Sequence, residues 1–419
     1  MTHPRPLLSN LDILNLSRPE VVASVHDSYL EAGADIIETN TFNSNALSQR
    51  EYGTDRLVRD LNLAGARVAV RRARHYSALD PTRPRFVAGS MGPTAFSASF
   101  PCDSSCHWKR AVDFGTLARI YADQAEALVE GGVDMLLIET AYDLLNIRGA
   151  LHGAAQGMKR AGRIVPVAVS LTISDTSGRI LSGHTPEAVL AAVAPYSPVA
   201  LGFNCSAGPA GLASAVRRLA DASPFPVIFY PNAGLPGPDG EYDVDPDKFV
   251  AQLCPLLDKG LVSIVGGCCG TTPEHIARLS EFLSASGLKP RQAGARHLPA
   301  WLSGLEACGG RFRMAASPRP RGPVGIQSRR ASRLPGDTQR GIQGDTACRR
   351  LPVAPRPEAH AHAHASAQTG AGRSVGYRQR HSLPLGKRGR FLSRLAPRPL
   401  FHGQPLSFLR ILRLLSFCK

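Results

Sequence analysis

Short apolar runs, almost unbroken by polar residues, recur through roughly the first 290 residues, and in the stretches between them apolar positions return every three to four residues. The runs at 34–41, 85–91, 133–140, 165–173, 199–204, 227–231 and 262–266 read as strands, and the periodic stretches at 55–75, 114–130, 186–193 and 247–257 read as helices. A further helix is expected to start at Ser17 as N-cap, with Pro19 in its first turn and Glu20 at the capping-box position, and to run to about Ala32, where Gly33 ends it. Strands that are apolar on both faces and separated by helices imply a parallel sheet covered on both sides. Seven such units suit an α/β fold of the (β/α)8 TIM-barrel type that lacks its first strand, because residues 1–10 are polar and carry no strand pattern. An open doubly wound sheet is the structural alternative.

The active sites of such barrels gather at the C-terminal ends of the strands. Here those ends carry Glu38, Thr39 and Asn40; Ser90 and Met91; Glu139 and Thr140; Asp175; Asn204 and Cys205; Asn232, Ala233 and Gly234; and Cys268 with Cys269. Neighbouring residues in a regular strand point to opposite faces, so adjacent thiols meet at one point only if the backbone leaves strand geometry. Gly266, Gly267 and Gly270 around the pair would allow that departure. With Cys205 two strands away, three thiolates could share a zinc ion and leave its fourth tetrahedral position open, as a catalytic rather than a structural zinc requires. Read without the rest of the chain, vicinal cysteines serve equally well as small buried apolar residues.

Composition divides the chain. Of the net charge of +16, residues 291–419 carry 24 Lys and Arg against 4 Asp and Glu, or +20, so residues 1–290 carry 16 − 20 = −4. The basic tail has no helical stripe except over Pro405–Cys418 and includes the alternating His360, His362 and His364; it reads as low-complexity and disordered, with neither specific nucleic-acid binding nor membrane binding expected. Nine cysteines without regular spacing do not form a disulfide framework, and no signal peptide or run of 18 apolar residues is present, so a cytoplasmic setting is expected. Cys102 and Cys106 read as unpaired thiols, and Cys254 as a core position.

Five ordered motifs carry a family likeness: residues 33–42 (GADIIETNTF), 177–183 (SGRILSG), 202–205 (GFNC), 231–236 (PNAGLP) and 266–273 (GGCCGTTP). Together they resemble the homocysteine-binding domain of cobalamin-dependent methionine synthase, a homocysteine S-methyltransferase, over residues 15–290. The resemblance implies that Cys205, Cys268 and Cys269 are the zinc thiolates, that Glu139 holds the homocysteine amino group, and that Asn232 approaches the metal when substrate is absent. It implies transfer of a methyl group to the homocysteine thiol to give methionine. The methyl would come from methylcobalamin, replenished from methyltetrahydrofolate, on folate and cobalamin modules that residues 1–419 do not resemble. A stand-alone homocysteine methyltransferase with a betaine or methylsulfonium donor is the alternative, and a remnant that binds zinc or homocysteine without turnover is another.

Two departures from the family matter. Its first strand, ending in an Asp-Gly-Gly/Ala-Met-Gly-Thr turn, has no counterpart in residues 1–16, which predicts an unclosed barrel with two exposed edges. Leu302–Glu306, within 291–307, resemble the linker toward the folate module, but the likeness stops after Ala307, where out-of-frame translation of GC-rich coding sequence would account for residues 308–419. The expected organisation is therefore a barrel over 1–290, a linker over 291–307 and a basic tail over 308–419.

Overall fold

Among the described residues the first strand follows a helix. A computed structural model describes residues 7, 9–103, 105–173, 177–288 and 413–416. Contacts divide the chain into two units, 1–312 with 396–419 and 313–395, and all the described residues belong to the first. Its strands are β1 (Ile36–Glu38), β2 (Phe86–Met91), β3 (Met135–Ala141), β4 (Val167–Leu171), β5 (Ala200–Cys205), β6 (Val227–Pro231), β7 (Ile264–Gly267) and β8 (Arg413–Ser416). They pair in parallel, each with the next, and β8 pairs with both β7 and β1 to close the ring.

The expected barrel of seven strand-and-helix units is present, and among the described residues no strand precedes β1. The two edges expected to be open are instead paired, because Leu415 and Ser416 lie in register with Ile36 and Ile37 on one side and with Gly266 and Gly267 on the other. The linker over 291–307, the rest of the tail and the turn at Asp175 lie outside the described residues.

The helices are α1 (Leu14–Ser17), α2 (Pro19–Glu31), α3 (Ala46–Arg50), α4 (Val58–Leu79), α5 (Phe114–Gly131), α6 (Leu144–Arg160), α7 (Pro186–Val193), α8 (Pro209–Ala222), α9 (Pro246–Leu257) and α10 (Pro273–Ser286). Ser17 is not the cap of α2. It ends α1, its Oγ bonding back to Ile13 O at 3.0 Å, and Arg18 occupies the cap position without a side-chain bond. Side chains with their oxygens on the first-turn amides start five later helices: Asn45, Asp113, Asp143, Thr185 and Asp245.

Two apolar layers result. One fills the space between strands and helices, with Leu30, Leu128, Leu151, Val216 and Phe249 among its fully buried members. The other fills the ring, where Ile36, Ala88, Leu137, Ala168, Ala200, Ile228 and Ile264 point inward. Side chains alternate faces along a strand, so the inward positions two residues further on are Glu38, Ser90, Glu139, Ser170 and Tyr230, with Asn204 at the end of β5. All six are buried, and the barrel interior thus changes from hydrocarbon to hydrogen-bonding groups as it nears the C-terminal rim.

Candidate metal centre

The cysteine pair follows β7 in a tight turn. Cys268 N donates to Pro231 O at 2.9 Å, while Cys268 O accepts from Thr271 N at 3.1 Å and from Thr271 Oγ1 at 2.6 Å. Gly270 occupies the third position of this turn with φ +75°, the left-handed value that a type II turn needs there. Gly266 and Gly267, expected to loosen the strand, instead complete β7, and the departure begins at Cys268.

At the end of β5, Cys205 and Ser206 both adopt left-handed backbone, φ +57° and +67°, a costly conformation for residues with side chains. Neighbouring contacts hold them there. Ala207 N donates to Cys205 O at 2.8 Å, Asn232 N donates to Ala207 O at 3.1 Å, and Ser206 Oγ accepts from Ile173 N at 2.8 Å. The turn brings Cys205 Sγ to 3.8 Å from Cys269 Sγ, which is 3.9 Å from Cys268 Sγ, and all three sulfurs lie within 4.8 Å of one another. Sulfurs bound tetrahedrally at about 2.3 Å from zinc stand about 3.8 Å apart. The spacing and the soft thiolate donors therefore both fit a zinc ion. Among the described residues this is the group of three or more Cys, His or carboxylate side chains that could hold a metal.

Asn204 ties the rim together beside these sulfurs. Its Oδ1 accepts from Thr140 N at 2.9 Å and from Ser170 Oγ at 2.7 Å, and its Nδ2 donates to Thr140 Oγ1 at 2.8 Å and lies 3.9 Å from Cys268 Sγ. Thr140 also has left-handed backbone, φ +52°, at the irregularity where β3 shifts register against β4. Asn232 follows β6, and its Oδ1 accepts from Cys269 N at 3.1 Å, which ties it to the cysteine turn.

Glu139 is fully buried inside the ring. Ser90 Oγ donates to one of its oxygens, and Tyr230 hydroxyl lies 3.4 Å from the other. The Tyr230 phenol is held well above its usual range by burial first, then by the charges of Glu139 and Glu38, with a further push from Cys268. Glu38, Ser90 and Tyr230 were not singled out in sequence for this role, although the period-two pattern that places Ile36, Ala88 and Ile228 inward places them inward too.

Tyr242 is the residue that sequence pattern gave no hint of. It comes from the loop after β6 and packs on Gly270, beside the cysteine turn. Burial, then the neighbouring Cys269, Cys205 and Cys268, raises its ionisation range. Cys102, Cys106 and Cys254 stay apart from the cluster: the first is exposed, the second half-buried, and Cys254 packs half-buried against the core, burial pushing its thiol up.

Fold and site together define a parallel α/β-barrel enzyme whose three-cysteine centre sits at the C-terminal rim. A sequence profile described as homocysteine S-methyltransferase matches residues 2–283, well over half of the chain. The chain belongs to the homocysteine S-methyltransferase family, whose members are methyltransferases acting on homocysteine. Crystal structures of the homocysteine methyltransferase MmuM from Escherichia coli, in metallated and oxidized forms, share the fold. Each aligns with TM-score 0.54 at 24% identity, over 66% of this chain and 90% of theirs.

Proposed function

We propose that the protein is a zinc-dependent homocysteine methyltransferase that yields methionine, with Cys205, Cys268 and Cys269 as metal ligands and Glu139 as the anchor of the substrate amino group. The observation that carries this reading is the sulfur spacing of 3.8 and 3.9 Å within a group spanning 4.8 Å. Zinc at that point would let a fourth, substrate sulfur bind as thiolate at neutral pH, where a free thiol is mostly protonated.

The chain's own residues supply the rest. Glu139 offers a buried carboxylate to the homocysteine ammonium, a charge-assisted contact strengthened by the low dielectric of the ring. Ser90 and Tyr230 hold that carboxylate in one orientation. Glu38 lies buried in the same inward layer, and its charge acts on Tyr230 as that of Glu139 does, so it adds negative potential where the ammonium would sit. Asn204 locks the ends of β3, β4 and β5, and Asn232 locks the turn that aims Cys269, so the sulfurs are preorganised.

On this reading the methyl donor is methylcobalamin supplied by other modules of a methionine synthase, recharged from methyltetrahydrofolate. A stand-alone enzyme with a methylsulfonium or betaine donor is the second reading, favoured by one observation: the barrel by itself spans 90% of the MmuM chain. A methyl-transfer assay with homocysteine and, in parallel arms, methylcobalamin or a methylsulfonium compound tests both. Turnover in one arm, lost in Cys268→Ser, is the expected result. Bound zinc with no turnover in any arm would defeat the reading.

A further inference from the structure

Asn204 directly precedes Cys205 on β5, and its side chain is fully buried inside the ring. An amide carries two N–H donors and an oxygen with two lone pairs, and here all four are engaged. Oδ1 accepts from Thr140 N at 2.9 Å and from Ser170 Oγ at 2.7 Å, while Nδ2 donates to Thr140 Oγ1 at 2.8 Å and to Cys268 Sγ at 3.9 Å. A backbone N–H can only donate, so the bond from Thr140 N fixes which end of the amide is oxygen and turns Nδ2 toward the sulfur. Thr140 is held by Asn204 at both its N–H and its hydroxyl. It has φ +52° and stands where β3 shifts register between Ile138 and Ala141. A residue with a Cβ keeps such a backbone only under restraint from its surroundings. The residue before it is Glu139.

One side chain thus joins the strand end that carries the proposed ammonium anchor to the turn that carries a proposed metal ligand. Homocysteine held at both ends must span that gap with Cα, Cβ and Cγ, whereas cysteine has one methylene fewer. A pocket of fixed size discriminates one methylene by about 10- to 200-fold, and a gap whose wall can drift discriminates less. We propose that Asn204 is a positioning residue that holds Glu139 at a fixed distance from the cysteine centre and so makes the site choose homocysteine over cysteine. The inference rests on the reading of Glu139 as ammonium anchor and of Cys205, Cys268 and Cys269 as metal ligands. Released by Asn204, Thr140 leaves its left-handed backbone and Glu139 moves with it, so the gap no longer measures the substrate.

Asn204→Leu keeps the bulk and removes all four bonds. Thr140→Val, at a half-buried position, removes only an acceptor of Nδ2, and it carries the test where Asn204→Leu does not fold. Zinc-loaded wild type and variants are titrated with homocysteine and with cysteine by calorimetry, and bound zinc is measured on the same samples. Both variants should lose about fivefold or more of the homocysteine-over-cysteine preference, the equivalent of one ordinary hydrogen bond, with zinc content as in wild type. Thr140→Ser, which restores the acceptor, should recover the preference. General loosening of the site would weaken both amino acids alike or release zinc, so an unchanged preference in Thr140→Val, or loss of zinc in both variants, overturns the proposal. A wild-type chain that binds no zinc, or binds homocysteine no better than cysteine, defeats the underlying reading and the proposal with it, whereas a wild-type preference that the variants share defeats the proposal alone.

Discussion

Glu139 shows how much a single position can be asked to do. Its carboxylate is fully buried with Ser90 and Tyr230 as partners, so Glu139→Gln keeps the shape and removes the charge. Hydrogen bonds to charged groups contribute about 1.5–3 kcal/mol. The variant should therefore raise KM for homocysteine about tenfold or more, with zinc content unchanged; steady-state kinetics beside metal analysis checks this, and an unaltered KM would remove Glu139 from substrate binding. Glu139 and the three cysteines were legible in sequence because each ends an apolar run. Tyr242 was not, because a polar, glycine-containing loop has no periodicity, and its ring is placed by packing on Gly270 from a distant part of the chain.

The strands were more legible than the helices. Runs that must be apolar on both faces leave a strong trace, and β6 falls on its expected span, while β1 stops at Glu38 because Thr39 and Thr41 turn their hydroxyls to each other and to β2. Helix α6 was hidden by Gly149, Gly153 and Gly157, which lower helix propensity. Their spacing has a packing reason: a Cβ on Gly153 or Gly157 would lie 2.5 Å from a carbonyl of α5, so only glycine lets these two helices meet. Helix α2 carries a different liability. His26 is 1% exposed, and burial, with Arg72 adding to it and Asp27 opposing it, lowers its pKa to about 4. The unfolded chain takes up that proton near pH 6.5, so the stability is complete above that pH and is lost as pH falls toward 4, by about 3 kcal/mol in all. Urea unfolding at pH 7 and pH 4.5 should show this loss in wild type and a smaller one in His26→Leu; equal losses would assign the acid sensitivity elsewhere.

At the scale of the whole molecule, closing the ring without a strand ahead of β1 is the main departure from expectation, and β8 supplies the missing pairing from the far end of the chain. That segment, Arg413–Ser416, lies in the basic tail and is not followed by a helix-and-strand repeat like the other seven, so the alternation that marked them could not have found it. Among the described residues no helix is long and apolar enough to cross a membrane. The ring matters for function because it brings β5 and β7 to one rim, where residues 64 positions apart place their sulfurs 3.8 Å from each other. Zinc K-edge X-ray absorption on the metal-loaded protein tests that arrangement most directly. Three sulfurs at about 2.3 Å in the free enzyme, becoming four when homocysteine is added, is the predicted result. A metal shell of nitrogen and oxygen, or a sulfur count that homocysteine leaves unchanged, would contradict it.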